Sequence, residues 1–98
     1  MKGIFISCSQ ALYDEVVTLM DEMGIRGFSA WEETMGRGSH DGDPHLGTHA
    51  WSAMNSSIIT FIDDDALANR FMDKLKAKDS ESGNLGLRAF LWNVERTF

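Results

Sequence analysis

His40, Asp41, Asp43, His45 and His49 put three imidazoles and two carboxylates within ten residues of chain. Neutral imidazole nitrogen and carboxylate oxygen are the donors that zinc, copper and nickel accept, so a divalent transition metal is one ligand for this stretch, held by His40, His45 and His49. The spacing matches no standard zinc signature, and Pro44 and Gly47 interrupt the donors; solvated loop histidines that bind nothing specific are the more common case for such a stretch. Just upstream, Gly36-Arg37-Gly38-Ser39 is a segment whose backbone N–H groups can nest a phosphate. The plain alternative is that Gly36 and Gly38 let the chain leave a sheet. Glu32, Glu33, Asp41 and Asp43 outnumber Arg37, so this stretch by itself makes a poor phosphate cradle.

Catalytic chemistry has less to stand on. No serine, histidine and acid are placed together on rigid elements, and Asp63-Asp64-Asp65 sits where it would cap a helix rather than bind magnesium. The lone cysteine, Cys8, lies in an apolar strand and reads as a small buried hydrophobe. Trp31, Trp51 and Trp92 could stack on a base, but Trp31 and Trp92 fall on strands and read rather as core or subunit contact. A non-enzymatic protein is expected.

The elements that must position these groups follow from periodicity. Ile4–Cys8 reads as a strand, and Ser9 can cap a helix over Gln10–Met23, whose Leu12, Val16, Leu19, Met20 and Met23 recur at helical spacing until Gly24. A second strand is expected over Gly27–Trp31, a third over Ser57–Ile62, and the longest over Leu85–Val94. Between the third and the last, Leu67, Phe71 and Leu75 mark a helix that should stop before a polar turn at Asp79–Asn84. The order β-α-β-β-α-β predicts an α+β, ferredoxin-like sandwich: one domain over 1–98, a four-stranded antiparallel sheet, both helices on one face. The pattern lapses from Glu32 to Asn55. That is roughly two dozen residues where a hairpin ordinarily takes two to five, and such a loop carries function or is disordered.

Composition narrows the partners. Nine basic residues against fifteen acidic ones leave a formal charge of −6, which disfavours nucleic acid and anionic membranes. The chain has 43% hydrophobic residues, enough for a core, with no apolar run long enough to span a bilayer. The expected location is the cytoplasm. Within the strands both alternating faces are apolar: Ile4 and Ile6 oppose Phe5, Ile58 and Ile62 oppose Ile59 and Phe61, and Leu87, Ala89 and Leu91 oppose Phe90, Trp92 and Val94. Two helices cover one face only, so the other is expected to close against further copies of the chain.

Met23-Gly24-Ile25-Arg26-Gly27-Phe28 resembles the lead-in to strand two of the PII-like signalling superfamily, and Gly36-Arg37-Gly38-Ser39-His40-Asp41-Gly42 keeps that family's G-x-G-x-x-x-G spacing at the base of its long loop. The resemblance spans nearly the whole chain. It implies a homotrimer with clefts that hold an adenine nucleotide (ATP, ADP or AMP), here at Gly36, Arg37, Gly38, Ser39 and Arg88. It also implies a T-loop, 32–55, that docks on a target such as a membrane transporter without membrane insertion. Arg88 stands where the family has a lysine. Ser39 and His40 replace an arginine and a glutamine, Asn55 and Ser57 replace lysines, and Gly47 lies near the place of a modifiable tyrosine. Fewer cations imply weaker triphosphate binding. The chain is also similar to the CutA type of metal-tolerance trimer, which shares the architecture and handles heavy metals.

Overall fold

The computed structural model describes residues 1–34, 55–83 and 86–98. Lys2–Ser9 forms β1, Gln10–Glu22 α1, Ser29–Thr34 β2, Asn55–Ile62 β3, Asp65–Glu81 α2 and Arg88–Asn93 β4. The strands make one sheet in the order β2-β3-β1-β4, with every neighbouring pair antiparallel. This is the ferredoxin-like α+β fold.

Local chemistry sets the helix ends. Ser9 Oγ accepts from the Ala11 N–H at 3.3 Å, and Asp64 Oδ1 accepts from the Leu67 N–H at 3.1 Å, so each satisfies an N-terminal donor that the helix leaves unpaired. Gly24, at φ 77°, turns the chain out of α1, while the Ile25 N–H closes on the Met20 carbonyl at 2.8 Å. The second helix is longer than the sequence suggests. It runs on through Asp79 to Glu81 and ends at Ser82, ahead of Gly83 at φ 78°. The polar residues there stay helical because they have partners: Lys78 pairs with Glu15 of α1 at 3.6 Å and Asp79 with Arg88 at 3.3 Å.

The core lies between the helices and one sheet face. Leu12, Val16 and Met20 of α1 and Ala68, Phe71 and Leu75 of α2 pack on Ile4, Ile6, Cys8 and Ile58, all at most 2% exposed. Two polar residues share that face. Ser56 and Thr60 donate their hydroxyls to the carbonyls of Glu32 and Gly27, which satisfies them and ties the β2 edge to β3. β2 is also shifted from its expected place: it starts at Ser29 and continues through Glu32, Glu33 and Thr34. As an edge strand with exposed positions it takes acidic side chains without burying them.

Burial pushes the Cys8 thiol from its usual 9.0 up to about 11. The fold therefore favours the protonated thiol, and that contribution to stability is complete below pH 9 and lost as pH rises toward 11. At about pH 8, iodoacetamide should label Cys8 in urea and leave it untouched in the folded protein. Rapid labelling of the folded protein, followed by mass spectrometry, would show the thiol to be reachable.

Candidate functional site

The site features are built at the sheet's two edges and on its uncovered face. The stems of the long connection between β2 and β3 are pinned by side chains. Thr34 and Ser57 share a hydroxyl hydrogen bond at 3.2 Å, and the Asn55 amide donates to Ser7 Oγ at 3.1 Å. The β2–β3 register shifts between Trp31 and Thr34, an irregularity that re-aims an edge strand where pairing ends. The segment 35–54 thus departs from a fixed base. Gly36, Arg37, Gly38 and Ser39, expected at the phosphate, and His40, His45 and His49, expected at a metal, all lie outside the described residues. Among the described residues, no group of three His, Cys, Asp or Glu is placed to hold a metal ion.

Arg88 is the one expected site residue whose position is described. It opens β4, its side chain 67% exposed, and its Nη1 donates to Asp79 Oδ2 at 3.3 Å and to the Leu87 carbonyl at 2.9 Å. The strand alternation assigns Arg88 to the same face as Phe90 and Trp92, yet its guanidinium is drawn back to the end of α2. Beside it a cavity of about 310 Å³ lies between α2 and β4. Sequence reasoning missed this arrangement because it placed Asp79 in a turn. The acid lies one helical turn beyond Leu75 and two beyond Met72 on the same face of α2, and that spacing could have shown it.

A second cavity, about 280 Å³, lies where the turn after α1 meets the end of β3, with Arg26, Phe61, Asp63 and Asp64 at its wall. Here the backbone of Gly24–Gly27 is open, and Gly27 has space where a side chain would stand.

The sheet face away from the helices is apolar over half its extent. Register places Phe90 opposite Phe5 and Phe5 opposite Ile59, and in the next row Trp92 and Phe61 flank Gly3. A Cβ on Gly3 would fall 2.5 Å from the Trp92 ring, so the indole lies over the glycine and meets Phe61 edge-on at 6.3 Å between centroids. Phe90 is 58% exposed, Trp31 53%, Phe61 52% and Trp92 39%. Neither tryptophan belongs to the core of the single chain. The far half of the face is mixed, with Trp31, Ser57, Ser7 and Arg88 in one row.

No protein-family profile matches the sequence, and no curated protein is similar to it. Solved structures do resemble the fold. CPII, a nitrogen regulatory PII-like protein from Thiomonas intermedia K12 bound to ADP, AMP and bicarbonate, superposes with a TM-score of 0.76 at 19% identity, over 95% of this chain and 84% of its own. Its apo form gives 0.71 at 14% identity, over 95% and 87%. A Thermus thermophilus protein classed with PII-like signalling gives 0.70 at 19% identity, over 95% and 85%. The fold is that of PII-like signalling proteins. Among the described residues, no helix is long and apolar enough to cross a membrane.

Proposed function

We propose that this chain is a divergent PII-like regulator that works as a trimer. Three copies cover one another's apolar sheet faces, an adenine nucleotide binds in the clefts so formed, and the 35–54 segment acts as a T-loop that engages a target such as a transporter. The observation that carries this reading is the match of fold along 95% of the chain to CPII with ADP bound. The doubly apolar sheet supports the assembly independently, because exposed aromatic surface of this kind is unusual on a lone chain.

In this reading Gly36-Arg37-Gly38-Ser39 offers backbone N–H groups to the phosphates, and Arg88 supplies charge. Binding biases the T-loop toward one of its conformations, and the target reads that bias. A bound ligand can shift the loop only by the difference in its affinity for the two loop states.

Titration calorimetry with ADP tests the reading. Saturable heat is expected from the wild type, and Arg88→Ala should weaken binding roughly tenfold to a hundredfold, the worth of one charge-assisted contact. Absence of heat with ATP, ADP and AMP at millimolar concentration would remove the nucleotide from the proposal. Zinc titration of the His40/His45/His49 triple alanine variant addresses the metal-handling alternative: wild-type affinity there would clear the loop histidines of that role.

A further inference from the structure

Asp79 stands where the helix itself disfavours a carboxylate. It lies in the last turn of α2, the end that carries the partial negative charge of the helix dipole. Its side chain is only 16% exposed, and Oδ1 is buried with no hydrogen-bond partner among the described residues. Arg88 is the one cation within reach of it among those residues, at 3.3 Å from Oδ2. That contact uses a single carboxylate oxygen and is longer than the roughly 2.7–2.9 Å of a strong charge-assisted bond.

The same contact turns Arg88 away from its own side of the sheet. Alternation along β4 places Arg88 with Phe90 and Trp92 on the uncovered face, while Leu87, 4% exposed, packs toward the helices. To reach Asp79 the guanidinium swings back to the helix layer, where Nη1 also donates to the Leu87 carbonyl at 2.9 Å. A phosphate group offers two oxygens to the guanidinium fork, which Asp79 with its buried Oδ1 does not.

We propose that Asp79 is an autoinhibitory latch that withholds Arg88 from the nucleotide. The inference rests on the nucleotide reading above and adds a regulatory contact to it. A nucleotide must draw Arg88 off Asp79 before it gains the guanidinium, and its apparent affinity falls by the fraction of chains in which Arg88 is free. The release has a cost because it leaves a largely buried carboxylate without its cation. The cost is limited because Arg88 itself is 67% exposed and the pair is partly screened by water. Asp79 is thus a positioning residue that acts only through Arg88.

The test is ADP calorimetry on the full chain. Asp79→Asn keeps the shape and removes the charge, and it should bind ADP about threefold to tenfold more tightly than the wild type. In an Arg88→Ala background the same substitution should bring no gain, because the latch has nothing left to hold. Asp73→Asn removes an equal charge from the same wall of α2 without touching Arg88, and should change ADP affinity less than twofold. If Asp79→Asn does not fold, the wild type decides: at saturating ADP the carbon-13 signal of the Asp79 carboxylate should move further than that of Asp73, and an unmoved signal would overturn the latch. Equal or weaker ADP binding by Asp79→Asn would overturn it too, since Asp79 would then be idle or would hold Arg88 ready for the ligand. A gain that persists without Arg88, or one matched by Asp73→Asn, would reduce the effect to general charge repulsion and overturn it equally. In each of these cases wild-type heat with ADP leaves the nucleotide reading standing, whereas a wild type that gives no heat with any adenine nucleotide removes that reading and the latch together.

Discussion

Phe90→Asp is expected to convert the proposed trimer into folded single chains, with sedimentation equilibrium returning the 11.0 kDa of one chain in place of about three times that mass. Phe90 is more than half exposed within its own chain, so the substitution removes little from the intramolecular core and circular dichroism should be unchanged. In the assembly it would sit at the centre of the buried face, opposite Phe5 and beside the Trp92–Phe61 pair. An unpaired carboxylate there costs several kcal/mol for each copy, and closed symmetry repeats the penalty in every subunit. A variant that sediments as the wild type would place Phe90 outside any interface. A wild type that sediments as one chain would remove the trimer itself.

The second large effect is on folding. Phe71→Ala should destabilise the chain by about 3–5 kcal/mol, because the ring is fully buried between α2 and the sheet and alanine leaves a hole its neighbours can only partly fill. Small domains have roughly 5–15 kcal/mol in total, so the urea midpoint should fall by about 2 M or more at fixed protein concentration. A shift below about 0.5 M would mean that the helix layer repacks freely, against the close fit of a native core. The contrast between the two phenylalanines is informative: one change breaks an assembly and spares the fold, the other weakens the fold wherever the chain assembles.

Much of this was legible in the sequence. Period-two alternation in Ile4–Cys8 and Ser57–Ile62 assigned each residue to its sheet face, and the burial of Ile4, Ile6, Ile58 and Ile62 against the exposure of Phe61 follows that assignment. Ser9, Asp64 and Gly24 mark helix ends through contacts within a few residues, which a linear reading can find. The ends of β2 and α2 were less accessible. Glu32, Glu33 and Asp79 read as loop residues from their polarity, and they belong to regular elements because an edge strand tolerates exposed acids and because Asp79 meets Arg88 across a turn.

The sequence by itself determined the order of the elements, the two faces of every strand and the presence of more apolar strand surface than two helices can cover, since each of these depends on spacing within one element. The tertiary structure decided which aromatic side chains stay exposed, that Trp92 lies over Gly3, and that Arg88 turns back to a half-satisfied Asp79 beside a cavity. Those facts depend on the register between β1, β3 and β4 and on how far α2 runs before it stops. Pairing between distant segments is set by the packing of the whole chain, and no local pattern encodes it.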